Sequence, residues 1–490
     1  MIDDIFAHVT SHYPEHRAVF DGKNNFTYRE LYVKQQQLVR YLIDELQIGK
    51  GEKIVLFLPN CVEFILSFFA IAEVGAIVVP LNIHLKEKEL RYYIEKCGIS
   101  AVITDSYLLS QWGKIPSHLQ AIQFILFDKL DILSKNILNS LSPENDFHPS
   151  METSLDDEFL YLSTSGSTGR PKIIPRTHYN VIAGAENVGN ALEVTNQDMF
   201  LSVTPFFHAN GLSNCMFLPI MKGASIFLMR QFSPRNMLRL IQENNITVLF
   251  GSPFIFSTLS DIADRTFCFP SLRFCLSTGT PMPKGLGKIF FSKFGIPVRQ
   301  LYGSSETGTI SIQLGDLPED ESSVGRPLNT VTVKIINKDG RELPPYEVGE
   351  IVVKSPVMIK GYVDEPELNK EAFSNGYFKT EDLGMFDRHG NLYISGRGKK
   401  FINVAGIKID PLEIENVLLS FHKVRAVFVT GVKNRRGTEM IKAMLVAQPD
   451  CSVSEVIAYC KDKLAEYKIP RIIEFKDEIH RDIMGKVAWQ

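Results

Sequence analysis

The segment Phe159-Leu160-Tyr161-Leu162-Ser163-Thr164-Ser165-Gly166-Ser167-Thr168-Gly169-Arg170-Pro171-Lys172 is an apolar run feeding a hydroxyl- and glycine-rich loop that closes on a lysine. Glycines let a backbone come close to a phosphate and aim N–H groups at it. Hydroxyls add hydrogen bonds, and a lysine ammonium offers phosphoryl oxygens a point charge. The pattern GxxxxGK[ST] cannot be threaded through it, so this is not a Walker A loop. A flexible Ser/Gly linker is the competing reading; the apolar strand ahead and the Pro-Lys exit argue against it.

Such a loop needs a scaffold, and the rest of the chain offers one. The sequence has 490 residues, 44% hydrophobic and 22% charged, with a formal charge of −3. That composition excludes collagen-like and disordered classes, suggests two or more lobes, and argues against a dedicated nucleic-acid binder. Seven cysteines without close pairs fit buried thiols in a reducing compartment. The acidic start Met1-Ile2-Asp3-Asp4 is unlike a secretory signal, and the most apolar stretch, Phe64 to Pro80, is interrupted by Glu73 and Gly75. It is shorter than the roughly 20 residues of a membrane span. It reads as a helix (Val62 to Val74) turning into a strand (Ala76 to Val79), in a soluble, cytoplasmic protein. Apolar runs at Ile54–Leu58, Ala101–Thr104, Gln123–Phe127 and Val248–Phe250 suit strands buried on both faces. From about Val324, short strands at Val331–Ile336, Gly349–Val353 and Gly390–Ile394 predict an antiparallel β region. From Arg397 on, 17 Lys and Arg face 12 Asp and Glu. A basic small lobe against an acidic large one hints at a polyanion between them, or at a chance distribution of solvated charge.

The run Thr164-Ser165-Gly166-Ser167-Thr168-Gly169-x-Pro171-Lys172 resembles the signature loop of the adenylate-forming superfamily: acyl- and aryl-CoA synthetases, nonribosomal peptide synthetase adenylation domains and firefly-type luciferases. Other elements follow in that family's order. Phe206-Phe207-His208-Ala209-Asn210-Gly211 resembles its aromatic/His element, and Leu301-Tyr302-Gly303-Ser304-Ser305-Glu306-Thr307 its Tyr-Gly-x-Thr/Ser-Glu motif. Val324–Pro327 and Val348–Ile351 match mid-chain β elements, and Tyr377–Gly384 resembles the Thr-Gly-Asp segment. Gly396–Ile402, Gly406–Ile409, Pro411–Glu415, Lys468–Arg471 and Gly485-Lys486 look like the hinge, the C-terminal recognition elements and the catalytic-lysine segment.

The resemblance implies a fold and a set of roles. The fold is α/β: an N-terminal lobe (1–395) of mixed sheets flanked by helices with a β-rich part, and a small mobile α+β lobe (399–490), hinged near 396–400. ATP would lie against Thr164 to Gly169, Lys172, Gly279, Thr280, Pro281, Tyr302, Gly303, Ser304, Ser305, Asp382 and Arg397. Glu306 and Thr168 would hold Mg²⁺, with Lys486, His208 and Glu306 as catalytic groups. Phe206, Phe207, His208, Ala209, Gly279, Thr280, Gly303 and Ser304 would line the acyl pocket, and Lys399, Asn403 and Gly406 would serve hinge and thiol. These types suit the chemistry. Bringing a carboxylate to the α-phosphate sets negative charge against negative charge, so cations and oriented donors must be supplied. A carboxylate such as Asp382 accepts from a ribose diol, Arg397 offers a rigid fork, and Tyr302 offers a flat face to a purine. Taken singly, Asp382, Arg397 and Glu306 read as surface residues, His208 as a core histidine and Lys486 as a solvated tail; their joint occurrence carries the assignment.

Departures from the family pattern are Ile173, where Gly is usual before the helix expected after the loop; Glu381 for Gly; Asn403 for Lys; and His480-Arg481 for Pro-Arg. Glu381 is expected to face away from the nucleotide or cap a turn. The implied activity is an acid plus ATP giving acyl-AMP and pyrophosphate, then transfer to coenzyme A. Loading of a carrier-protein phosphopantetheine is the enzymatic alternative, and a silent nucleotide- or acyl-binding homologue is the alternative of another class. Lys433-Asn434-Arg435-Arg436 reads as a basic surface turn or a contact for coenzyme A phosphates. His208 and Asn210 recognise a polar substituent or are structural.

Overall fold

The computed structural model describes residues 1–85, 87–111, 122–130, 153–164, 171–263, 269–315, 322–397, 402–404, 407–409, 411–433, 439–464 and 466–479. Two large sheets dominate a mixed α/β architecture. In the first, the strands Gln123–Leu126, Ile99–Thr104, Lys53–Leu56, Ile77–Pro80 and Glu158–Thr164 lie side by side and parallel, and Lys172–Thr177 closes the edge antiparallel. The second runs in the order Arg326–Pro327, Gly308–Ile312, Val298–Ser304, Phe274–Ser277, Val248–Gly251, Met199–Ser202, Ser225–Leu228, Arg17–Phe20, Asn25–Thr27. It is parallel from Val298–Ser304 through to Arg17–Phe20.

Strand residues alternate between faces, which explains why these runs are apolar throughout. Ile54 and Leu56 share a core with Phe200, Val248 and Leu276 of the other sheet. Val55, Val79 and Val102 face a second core, and Leu201, Leu249 and Cys275 a third. The helix Val62–Glu73 belongs to the shared core and buries every residue but Glu63 and Glu73. Its Phe69 stacks on Phe6 at 4.4 Å, and its Phe68 meets Phe159 edge-on at 5.0 Å. Glu73 accepts from the amides of Gln35 and Gln36 at 2.7 and 2.9 Å, which satisfies a carboxylate at the end of an apolar helix. Among the described residues, no helix is long and apolar enough to cross a membrane. The described cysteines are free thiols, buried except for half-buried Cys451.

The turn-rich region does form an antiparallel sheet, from Thr332–Ile336, Gly349–Lys354, Tyr377–Phe386 and Leu392–Arg397. From Ile402 the chain builds a smaller α+β unit. A hairpin (Ile402–Val404 with Ile407–Ile409), a three-stranded sheet (Val424–Lys433, Glu439–Ala447, Ile472–Phe475) and two helices (Pro411–Leu419, Val453–Lys463) enclose their own core of Ile402, Ile414, Val427, Ala443 and Val456.

The helix expected after the Ser/Gly loop starts later than the loop's exit: Lys172–Thr177 is first a strand paired with Glu158–Thr164, and the helix begins at His178. Ile173 and Ile174 are β-branched and buried in the sheet, and Pro175 disfavours a helix interior. Thr177 then caps the helix, accepting from the Asn180 N–H at 3.2 Å.

Candidate active site

The strands Met199–Ser202, Phe274–Ser277 and Val298–Ser304 run parallel, so the segments leaving them issue from one edge. That is the carboxyl edge at which open α/β sheets bind ligands. The segments carry Phe206 to Asn210, then Gly279 to Pro281, then Ser304 to Thr307. Lys172 comes from the other sheet, as the first residue of the strand that follows the Ser/Gly loop.

Around Glu306 the geometry is tight. The Tyr362 hydroxyl donates to Glu306 Oε1 at 2.9 Å, and the Lys172 ammonium lies 4.9 Å from the centroid of the same Tyr362 ring. The Glu306 carbonyl accepts from the Ile359 N–H at 3.0 Å, and the Val363 N–H donates to the Ile173 carbonyl at 3.1 Å. The segment 355–363 therefore ties the Lys172 strand to the Glu306 turn. Arg176 reinforces the tie: its guanidinium donates to the Ser305 carbonyl at 2.5 Å and the Val357 carbonyl at 3.4 Å. Burial pushes this guanidinium down to about 10, while the Glu306 charge pulls it back up. Arg176, Tyr362 and the segment 355–363 were not singled out in the sequence. An arginine inside the apolar strand Lys172–Thr177 was the one visible signal, because a buried guanidinium demands partners.

The second cluster joins residues 80 positions apart: the Tyr302 hydroxyl donates to Asp382 Oδ2 at 2.7 Å. Asp382 also receives its position from the backbone, with its N–H bonded to Thr380 Oγ1 at 3.1 Å and Thr380 bonded to the Ile351 carbonyl at 2.8 Å. Arg397 is the cross-strand partner of Asp382. Glu381 sits at φ 63°, in the left-handed region, where the pairing of Tyr377–Phe386 with Gly349–Lys354 skips register. This is a bulge at which glycine would be unstrained, so the departure at Glu381 is a conformational one. Gly303 also has a specific cause. A Cβ there would lie 2.4 Å from the Gly308 carbonyl oxygen, so the close approach of two strand backbones, more than room for an acid, requires glycine. Gly279 has φ 94° and is exposed beside half-buried Thr280 and exposed Pro281. Ser304 Oγ lies 3.0 Å from Thr307 Oγ1 and accepts from the Thr307 N–H at 3.2 Å, shaping the turn that presents Ser305 and Glu306.

In the third cluster, Phe206 is buried against Phe64, with ring centroids 5.3 Å apart, in the shared core. Phe207, His208 and Ala209 are half-buried, and the Phe207 and His208 rings lie 4.4 Å apart. Ser165 to Gly169, Lys399, Gly406 and Lys486 lie outside the described residues, as do Asn434 to Arg436 and the side chains of Thr164, Arg397, Asn403 and Lys433.

The turn that sets Glu306 beside Tyr362 and Lys172, the Tyr302–Asp382 pair and the Phe206 to Ala209 segment are the three clusters of the candidate site. Residues 6–363 match the AMP-binding enzyme family and residues 413–486 its AMP-binding enzyme C-terminal domain. The chain belongs to the AMP-binding enzyme family. It is 32% identical to a 2-succinylbenzoate–CoA ligase of Geobacillus sp. over 97% of this chain and 93% of that protein. It is 30% identical to the long-chain-fatty-acid–CoA ligase FadD13 of Mycobacterium tuberculosis over 91% and 88%. The structure of O-succinylbenzoate coenzyme A synthetase from Bacillus subtilis in complex with ATP and a magnesium ion superposes with a TM-score of 0.86 at 29% identity, covering 99% of this chain and 98% of that one.

Proposed function

We infer that this chain is an AMP-forming acid–thiol ligase that converts a small carboxylic acid to its coenzyme A thioester by way of an acyl adenylate. The observation that carries the reading is the Lys172–Tyr362–Glu306 chain, four residues along from the Tyr302–Asp382 pair. An ammonium and a carboxylate oriented by one tyrosine suit a triphosphate, and a carboxylate fixed by a second tyrosine suits a ribose diol.

The acid's carboxylate oxygen attacks the α-phosphorus, the bond to the bridging oxygen breaks, and pyrophosphate leaves with its electron pair. The thiol sulfur then attacks the acyl carbon, its proton goes to solvent, and AMP leaves. Lys172 meets the departing phosphates together with Thr164 to Gly169, and Asp382 and Arg397 hold the ribose. Tyr302, Gly303, Ser304, Ser305, Gly279, Thr280 and Pro281 surround the base and sugar. Phe207, His208 and Ala209 face the acid, backed by Phe206. Lys486 bridges acid and phosphate during adenylation. Residues 1–395 and 399–490 act as two lobes about a hinge near 396–400; the separate core from Ile402 on supports this division.

Glu306 fits a magnesium site. Its Oε1 accepts from Tyr362, and its other oxygen carries no hydrogen bond among the described residues. Among those residues no three acidic, His or Cys side chains cluster, and Mg²⁺ requires no such cage, since one carboxylate, phosphate oxygens and water complete its octahedron. When bound, the ion would neutralise phosphate charge.

The test is stoichiometry. With a productive acid, one AMP should form per free thiol of coenzyme A consumed. Thiol loss only with a holo carrier protein would redirect the acceptor, and ADP formation would overturn the reading.

A further inference from the structure

A side chain of the opposite sheet governs the segment that faces the acid. Asn60 follows the strand Lys53–Leu56 of the six-stranded sheet and is buried, with 6% of its surface exposed. It reaches across to the segment leaving Met199–Ser202 in the nine-stranded sheet. There its Nδ2 donates to the Thr204 carbonyl and its Oδ1 accepts from the Phe206 N–H, both at 2.9 Å. One amide thus replaces, for two alternate residues, the partner that a neighbouring strand would supply at a sheet edge. The segment is pinned at its other contacts as well. Thr204 Oγ1 donates to the Phe250 carbonyl at 3.3 Å, and the His208 N–H donates to the Pro205 carbonyl at 3.1 Å. Gly211 packs so closely that a Cβ would lie 2.0 Å from the Pro205 oxygen. Asn214 donates to Asn210 Oδ1 at 2.9 Å at the far end.

We propose that Asn60 is a positioning residue for acid selection: it holds Thr204 to Phe206 in register between the two sheets and thereby sets where Phe207 and His208 stand. The inference rests on the reading above that Phe207 and His208 face the acid. Asn60 acts through the backbone of this segment. Its two bonds are buried, and loss of either partner leaves a backbone group unsatisfied, so the segment must move to recover a partner. Binding of ATP uses groups on other strands and should be indifferent.

The test compares wild type, Asn60→Ala, Asn60→Asp and Phe207→Ala in acid-dependent pyrophosphate exchange, with KM for acid and for ATP measured separately on a short and a long acid. The expected result for Asn60→Ala is a KM for acid raised at least tenfold, a changed ratio of kcat/KM between the two acids, and a KM for ATP within twofold of wild type. Asn60→Asp, ionised at neutral pH, keeps the acceptor for the Phe206 N–H but has no donor for the Thr204 carbonyl, so it should raise the KM for acid and change the acid preference as Asn60→Ala does. It carries the test if Asn60→Ala fails to fold. A loss of activity matched by the loss of folded protein, with both KM values and the acid preference unchanged, would mean Asn60 is only structural and overturns the proposal. If Phe207→Ala alters acid preference and Asn60 variants do not, the positioning role falls while the reading of the pocket stands. If neither alters it, both fall.

Discussion

Tyr362→Phe removes one hydroxyl from the Glu306 turn and leaves the rest in place. The ring is buried, 6% exposed, and would stay under the Lys172 ammonium, whereas Glu306 Oε1 would lose its 2.9 Å donor. A hydrogen bond to a charged group contributes about 1.5–3 kcal/mol. If that orientation is needed when the α-phosphorus reacts, kcat/KM for MgATP should fall roughly 10- to 150-fold at 1.36 kcal/mol per decade. The free Mg²⁺ needed for half-maximal rate should rise with it. Tyr362→Leu also removes the aromatic face, worth about 0.5–2 kcal/mol to a nearby cation, and should cost a further two- to thirtyfold. Acid-dependent pyrophosphate exchange at saturating acid, titrated separately with ATP and Mg²⁺, measures both. Kinetics of Tyr362→Phe within twofold of wild type would refute the claim that Tyr362 orients Glu306. Equal losses in the two variants would remove the role of the ring.

Three further outcomes are expected. Burial holds the His178 imidazole down at about 4, against about 6.5 in an unfolded chain, so its neutral form stabilises the fold above pH 6.5 and that contribution is lost as pH falls toward 4. Between pH 7 and pH 5 the loss is about 2 kcal/mol; His178→Phe, which keeps a ring stacked on Phe159, should flatten the pH dependence of the denaturation midpoint, and an unchanged slope would count against it. Gly303→Ala places a Cβ 2.4 Å from the Gly308 oxygen and should cost about 1–3 kcal/mol of stability together with nucleotide affinity; wild-type melting and KM for ATP would contradict the backbone explanation of this glycine. Lys486→Ala should nearly abolish adenylation while transfer from a supplied acyl adenylate is much less affected, and equal losses in both steps would make Lys486 structural.

Much of the fold was legible because strands buried on both faces leave an unmistakable apolar run, as at Val248–Gly251 and Ile77–Pro80. The antiparallel region was legible from its turns. Tyr302, Asp382, Glu306 and Lys172 were legible as types within motifs, although nothing local told that Tyr302 would bond Asp382. Asn60, Arg176 and Tyr362 were not legible, because each acts through a partner far along the chain: Asn60 is 144 residues from Thr204, and Arg176 is 129 residues from Ser305. A polar residue in an apolar setting announces that a partner exists; only the folded chain names it. The departure at Ile173 signalled that the helix after the Ser/Gly loop starts differently, and the β-branched Ile173-Ile174 with Pro175 explain why a strand comes first and the helix waits until His178.

The most direct test is exchange of labelled pyrophosphate into ATP in the absence of any thiol, across straight-chain, dicarboxylic, aryl and amino acids. Formation of a reversible acyl adenylate predicts exchange that requires both Mg²⁺ and one class of acid and vanishes without the acid. No exchange with any acid, or exchange indifferent to acid, would contradict it.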